Sequence, residues 1–332
     1  MCPKLSTFGW SETEDGREWD DFVDQNRGSI FHSWSWRGVL EGANLKPFYL
    51  MCRDSDGTIL AVCPFFYRPG RVLQYLDSLP DSNTAGPIIG GQVANLPGIL
   101  TSLRKSVRFS PFSPVIAMRV RTHHSQVIEA MVKLGFHYTR TQLFILDLLK
   151  TDPVHVWNNG FLKHDRQAVK YFERKNTIFD FARNDDDYAG CLSLRRGSHT
   201  GSERDQLLNG MRAHMGDRLR FALAIVDGKI AAGVSMLCNP PSSTVSLKMM
   251  LYDLPARNIH SPVTYLNWKA INWARENGFR YVDFGSFSLA MNSDPYSHGS
   301  RLKARFEVTP VPRYEFVLPT SDVYYSIARR LS

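Results

Sequence analysis

The stretch STVSLKMMLYDLPARNIHSPVTYLNWKAINWARENGFRYVDFG, residues 243–285, decides the fold class. It opens with branched and apolar side chains that read as a strand ending at Tyr252-Asp253. A loop, LPARNIH, leads to Ser261, an N-cap residue type, and to Pro262, whose missing N–H is harmless in a first helical turn. Apolar residues then recur at helical spacing as far as Gly278, the position just past a helix end where a positive φ is needed. The chain resumes as a strand, FRYVDFG. Strand, loop, helix, strand predicts a βαβ crossover. A helix tip that faces a cleft offers unpaired amide N–H groups to a phosphate or carboxylate, and Ser261 is placed for that.

Working outward, the corner ENGFRYVDFG (276–285) has a near copy in KLGFHYTRTQ (133–142), each with Gly-Phe-basic-Tyr after an apolar-periodic segment. The earlier helix, SQVIEAMVKLG (125–135), also opens on a serine and closes on a glycine. Further upstream, FYLMCRDSDGTILAVCPFFY (48–67) and FALAIVDGKIAAGVSMLC (221–238) each place Asp-Gly between two apolar runs, a strong β-hairpin signal. The order hairpin, further strand, helix, strand therefore occurs twice and predicts a duplicated βαβ unit. At 332 residues two domains are the expectation. They divide near LLKTDPVHVW, where Pro153 interrupts the pattern, giving domains over 1–150 and 151–332.

Composition sets further bounds. With 43% hydrophobic and 22% charged residues and no low-complexity tract, the chain reads as globular throughout. The first residues carry seven acidic side chains by Asp24 and lack the basic-then-apolar order of a secretion signal. The longest apolar run, ILAVCPFFY (59–67), is too short to cross a bilayer, and its Pro64 suits an edge or bulged strand. Five cysteines without a C-x-x-C indicate reduced thiols, and a cytoplasmic protein is expected. The net charge of +8 is uneven: residues 1–150 hold 16 basic and 14 acidic side chains, and 151–332 hold 24 and 18. The second half is the better meeting place for an anion.

Several chemistries lose sequence support because H-E-x-x-H, P-loop, G-x-G-x-x-G and G-x-S-x-G are all missing. No metal site is predicted; the adjacent His123 and His124 point apart in any regular element and read as a surface feature at a helix entry. Ser102-Leu-Arg-Lys105 matches S-x-x-K by chance, its companion motifs being missing. In FLKHDRQAVKYFERK (161–175), Phe161, Leu162, Ala168, Val169 and Phe172 fall on one arc of a helix, with Lys163, Arg166, Lys170 and Arg174 opposite. That basic arc is either a solvated face or a wall for a phosphate-bearing ligand. Chemistry-bearing residues gather late: Tyr252-Asp253, Ser261-Pro262, Asp283-Phe-Gly285 and Leu302-Lys303-Ala-Arg305-Phe306. Strand ends beside a helix start are where α/β folds place ligands. For Asp283, a carboxylate that merely holds Gly285 stands beside a catalytic one; for Lys303, a solvated lysine stands beside a functional one.

The late cluster, with Ile30-Phe-His-Ser-Trp34-x-Trp36 and Ala85-Gly-Pro-Ile88 in the first half, resembles the FemAB-like aminoacyltransferases and their acyltransferase relatives in the GNAT superfamily. The likeness spans nearly the whole chain. It implies an α/β (α+β) protein of two tandem GNAT-like domains, each a mixed, mostly antiparallel sheet flanked by helices, with the active site in the second. It implies transfer of an acyl or aminoacyl group from an activated ester, aminoacyl-tRNA or acyl-CoA as co-substrate, to an amine of a cell-envelope or polysaccharide precursor. Lys303, Asp283 and Tyr252 would be catalytic, Lys303 offsetting oxyanion charge and Asp283 or Tyr252 handling the amine proton. Donor and substrate would meet Ser261, Arg257, His260, Arg305 and the basic arc Lys163, Arg166, Lys170 and Arg174. No resident cofactor is implied. Candidate partners are tRNA and an anionic membrane surface met peripherally. Relatives that use acetyl-CoA carry a glycine-rich loop at the helix start, whereas Arg257-Asn-Ile-His260-Ser-Pro262 has no glycine. A non-catalytic tandem module that binds tRNA or an anionic polymer is the alternative of a different class.

Overall fold

The structure, a computed structural model, describes residues 8–68, 74–80, 85–91, 95–106, 115–161, 163–194, 196–197, 201–253, 260–288 and 310–319. Contacts divide the chain into two compact units, Met1–Thr141 with Pro312–Ser332, and Gln142–Val311.

The first unit contains β1 (Gly9–Glu12), α1 (Gly16–Gln25), α2 (Trp34–Gly42), β2 (Lys46–Arg53), β3 (Ile59–Arg68), β4 (Gln74–Asp77), β5 (Ile88–Ile89), α3 (Leu96–Ser106), β6 (Val115–Thr122), α4 (Ser125–Lys133) and the start of β7 (His137–Asp147). Its strands run in the order β1-β2-β3-β4-β6, followed by the strand Pro310–Pro319, which reaches this unit from Pro312 onward. Pairing is antiparallel except between β4 and β6, which are parallel. The core forms where Leu50, Cys63, Phe65, Met118 and Val120 meet Leu100 and Leu103 of α3 and Val127 and Met131 of α4. These helix positions are spaced by three and four residues, which makes one apolar stripe on each helix.

The second unit holds the rest of β7, α5 (Pro153–His155), α6 (Lys163–Arg174), β8 (Ile178–Phe181), α7 (Asp185–Leu192), β9 (Arg196–Gly197), α8 (Gly201–His214), β10 (Leu219–Val226), β11 (Lys229–Asn239), β12 (Thr244–Tyr252), α9 (Pro262–Glu276) and β13 (Tyr281–Ser288). The strand order is β7-β13-β12-β11-β10-β8, and only the β12–β13 pair among those whose register is assigned runs parallel. Asp227 and Gly228 both take positive φ, 50° and 73°, as a two-residue hairpin turn requires between β10 and β11. On one face of this sheet α9 and α6 bury Leu266, Ala270, Ile271, Val169 and Phe172 against Val234, Met236, Val245, Leu247, Val282 and Phe284. The strand (Pro310–Pro319), the last in chain order, is β14.

Each unit is thus a mixed, mostly antiparallel sheet flanked by helices, as expected, but three details differ. First, the expected boundary at 150/151 follows the break at Pro153, whereas the units divide inside β7 and β14 belongs largely to the first unit. The reason is packing: Phe144, Leu146 and Leu148 lie in the second core, while Phe316 and Leu318 pair with Val120 and Met118 and lie in the first. Second, the repeated corner is not the duplicated element. The counterpart of β10-β11-β12-α9-β13 is β2-β3-β4-α3-β6, where a hairpin and an antiparallel strand again lead through a helix to a parallel neighbour. Helix α4 instead joins β6 to β7, and β14 lies between those two in the strand order. Third, Pro64 is in an interior strand; its neighbours on one edge are β5 at Ala61–Val62 and β4 from Phe66, so the proline sits where that ladder is interrupted.

Candidate active site

The crossover places β12, α9 and β13 side by side in the second unit, and the two strands do not stay together. Their parallel register runs from Thr244↔Tyr281 through Val245↔Val282 to Ser246↔Asp283. Farther along, the same edge of β12 carries β9, at Leu251↔Gly197 and Tyr252↔Arg196, because β11 occupies the other edge. Neither register covers Leu247–Met250. On the β11 side the pairing passes from Met236↔Leu247 to Val234↔Met250, so Lys248 and Met249 together oppose Ser235 in a β-bulge. The bulge shifts the side chains facing α9 from Val245 and Leu247 to Met250 and Tyr252. The fully buried Ser235 stabilises it, its Oγ accepting the Met249 N–H at 2.8 Å.

Where the two strands part, Asp283 is 3% exposed. Its Oδ1 accepts the Gly285 N–H at 2.8 Å and its Oδ2 accepts the Ser246 hydroxyl at 3.3 Å. The holding role weighed for this carboxylate is therefore present, and both oxygens are turned toward the protein. Tyr252 is half-buried at the carboxyl end of β12, on the α9 face. Ser261 is the N-cap of α9 as expected, but its hydroxyl makes no capping hydrogen bond. Pro262 has no N–H, and the Thr264 N–H is spent on Ser261 O at 3.2 Å, so the helix tip offers few amides. His260 lies against Tyr171 of α6, ring centroids 5.2 Å apart.

Helix α6 packs on α9 through Phe172 and Tyr265, and Lys269 pairs with Glu173 at 3.1 Å. Tyr265 donates to Thr177 O at 2.8 Å, and burial pushes its phenol up to about 12. Lys163, Lys170 and Arg174 stand exposed on the outer face. Arg166 leaves this group: its Nη1 donates to Asn158 O at 2.7 Å, to Trp157 O at 3.3 Å and to Phe161 O, tying the helix to the turns before it. The spacing that puts Arg166 on the basic arc gives no sign of those carbonyls, because they precede the helix. Phe161 is buried but stands before α6 rather than in it, and Asp165 is buried among the apolar residues. Leu162, Arg257, Lys303 and Arg305 lie outside the described residues.

Environment sets two thiols aside. Burial pushes the thiol of Cys191 up to about 12 and that of Cys238 up to about 11, which makes both poor nucleophiles. Among the described residues no three His, Cys, Asp or Glu side chains are grouped to hold a metal. No helix among them is long and apolar enough to cross a membrane.

The first unit has the same crossover without the parting. After an irregularity between Gln74 and Tyr75, β4 and β6 stay paired to Asp77↔Arg119, and the Ser78 N–H extends the ladder to Arg119 O at 2.8 Å. The two first-half motifs of the sequence meet near that end. The Ser29 hydroxyl donates to His32 Nδ1 at 2.8 Å, and His32 Nε2 donates to Gly86 O at 3.0 Å. The rings of His123 and His124 lie against one another, tilted by 33° with centroids 4.4 Å apart, rather than pointing apart as expected; His124, not Ser125, is the N-cap of α4.

The residues that sequence reasoning missed, Ser235 and Ser246, are hydroxyls inside apolar strand runs, AAGVSMLC and STVSLKM. A lone serine on such a run is a visible signal, but its partner is set by the sheet register.

Residues 160–296 match the model of the acetyltransferase (GNAT) domain family. No curated protein matches the chain. Among solved structures, FemX is 11% identical with a TM-score of 0.65, over 92% of this chain and 96% of that one. L-PGS from Bacillus licheniformis is 12% identical with a TM-score of 0.60, over 97% and 96%. A tandem GNAT protein from the clavulanic acid biosynthesis pathway is 11% identical with a TM-score of 0.59, over 95% and 98%. At such identities the likeness speaks for the fold, and the fold is that of FemAB-like tandem GNAT proteins.

Proposed function

Taking residues 160–296 as the acetyltransferase (GNAT) domain they match, we propose that the protein transfers an acyl or aminoacyl group from an activated ester to an amine. The observation that carries this is the parting of β12 and β13 beside the start of α9, with a bulge in the strand edge between them. An extended donor chain can lie along that edge, where backbone groups recognise an ester or amide without any particular side chain. The bulge turns backbone polar groups away from the regular ladder, and a backbone N–H aimed at the developing oxyanion favours the tetrahedral intermediate. Tyr252 is placed at the end of the same strand, where its hydroxyl can orient the amine or relay its proton. Lys303 keeps the oxyanion role the family likeness implies, with Arg257 and Arg305 as phosphate partners.

Between the two donors, the helix tip favours one. A coenzyme A diphosphate is best held by several amides, and α9 begins with Pro262 and a bonded Thr264 N–H. The exposed Lys163, Lys170 and Arg174 suit a polynucleotide backbone instead, which is held by side-chain cations. The reading is therefore an aminoacyl-tRNA donor. The match to an acetyltransferase family favours acyl-CoA as the second reading. The acceptor is an amine of a cell-envelope or polysaccharide precursor.

Thermal-shift and transfer assays with charged tRNA, deacylated tRNA, CoA and acetyl-CoA test this. Stabilisation and turnover with charged tRNA are expected. Stabilisation by CoA alone, with turnover from acetyl-CoA, would replace the donor, and salt-sensitive tRNA binding without transfer from any ester would leave a non-catalytic binder.

A further inference from the structure

We infer that Asp283 is a positioning residue: with Ser246 and Gly285 it forms a buried clasp that fixes where β13 leaves β12. This inference rests on the acyl-transfer reading for its functional consequence and on geometry for the clasp itself.

Three observations meet at this point. Asp283 is opposite Ser246 on the last rung of the parallel ladder. Its carboxylate bridges the two strands, taking the Ser246 hydroxyl on one oxygen and the Gly285 N–H on the other, at 3.3 and 2.8 Å. Gly285 has φ of +90°, outside the range a strand residue uses. Turning at Gly285 removes its N–H from the direction of the neighbouring strand, and Asp283 Oδ1 receives it two residues back. A buried amide in that position needs an acceptor, so carboxylate and turn depend on one another.

The direction of the carboxylate decides between two roles. A general base must reach the nucleophile's proton, but Asp283 is 3% exposed and both its oxygens are engaged within the protein. What it controls is the strand geometry where the gap begins. An error of about 1 Å in the placement of a donor is enough to slow transfer by roughly a hundredfold. The clasp therefore acts on donor binding and alignment and not on proton transfer.

An isosteric amide separates these roles. In Asp283→Asn, Oδ1 still accepts the Gly285 N–H and Nδ2 can donate to Ser246 Oγ, while basicity is lost. Transfer kinetics and hydrogen exchange of the Gly285 amide are measured on wild type, Asp283→Asn and Asp283→Ala. Expected for the amide are kcat within about threefold of wild type, an unchanged pH profile and retained Gly285 protection. Expected for alanine are a donor KM raised about tenfold or more and faster Gly285 exchange. Ser246→Ala, which removes one arm only, serves if Asp283→Ala does not fold, with a smaller rise in KM of about threefold. Loss of turnover in Asp283→Asn with Gly285 still protected would overturn the inference and make the carboxylate catalytic. Unchanged exchange and KM in Asp283→Ala, or in Ser246→Ala where that variant stands in, would overturn it too. If the wild type transfers from no donor, the acyl-transfer reading fails while the exchange of Gly285 still decides the clasp.

Discussion

Gly135 and Gly278 close α4 and α9 with the same pair of hydrogen bonds. Gly135 N–H donates to Val132 O and Phe136 N–H to Met131 O, at 3.0 and 3.3 Å. Gly278 N–H donates to Arg275 O and Phe279 N–H to Ala274 O, at 3.0 and 2.9 Å. Both glycines are left-handed, with φ of 74° and 78°, and a Cβ added at either meets nothing within 4 Å. The requirement for glycine is thus purely conformational. Replacing either by alanine should lower stability by about 1–2 kcal/mol. Urea unfolding checks this: equal losses are expected at the two sites, and a much larger loss at one would mean a packing role that the open space denies.

That pair also shows how far the sequence could be read. Gly-Phe-basic-Tyr marks a helix end and the next strand correctly in both places, because the signal is local. It does not say which strands become neighbours. The assignment of α4 as the partner of α9 failed for that reason: β14 enters beside β6 from far along the chain, and nothing near residue 135 announces it. The candidate site was legible to the same degree. Tyr252 and Ser261 fall at a strand end and a helix start that local signals fix, and Asp283 falls inside β13, which runs on to Ser288 past the end expected at Gly285; the bulge at Ser235 and the rung shared by Ser246 and Asp283 depend on register.

Acid should destabilise the first unit through its histidines. Burial pushes His32 down to about 4 and His123 down to about 3, below the ordinary 6.5. The unfolded chain therefore binds protons that the folded chain refuses, so stability is full above pH 6.5 and falls as pH drops toward about 4. For His32 alone the loss reaches roughly 3 kcal/mol. His32→Gln should flatten the dependence of the urea midpoint between pH 7 and pH 4.5; a variant with the wild-type slope would assign the effect to other groups.

The basic residues of α6 should separate into two kinds. Changing Lys163, Lys170 and Arg174 together to glutamine should leave the melting temperature nearly unchanged, since all three are exposed. The same triple change should weaken tRNA binding and lower its salt slope by about 2–3. Arg166→Gln should do the reverse. Its charged hydrogen bonds to Asn158, Trp157 and Phe161 carbonyls are worth about 1.5–3 kcal/mol, so stability falls while the salt slope stays. Filter binding over a salt series and thermal melts distinguish the two.

The bulge in β12 makes the sharpest demand on the active-site reading. Ser235 Oγ is the acceptor for the buried Met249 N–H, so Ser235→Ala leaves that donor without its partner and should lower stability by about 1–3 kcal/mol. Ser235→Thr keeps the hydroxyl and should recover most of the loss if its methyl is accommodated. Deleting Lys248 tests the geometry itself. Without the extra residue the β11–β12 pairing becomes regular, Met250 still opposing Val234, and side chains after the deletion keep their faces. Tyr252 would then stay on the α9 face where it now packs, so that what is lost is the turned backbone of the bulge. Folding with little loss of stability but no measurable transfer is the expected outcome, read by circular dichroism and by the donor assay together. Retained turnover in the deletion variant would show that the bulge does not serve the reaction, and the donor-binding edge would have to be sought elsewhere in the unit.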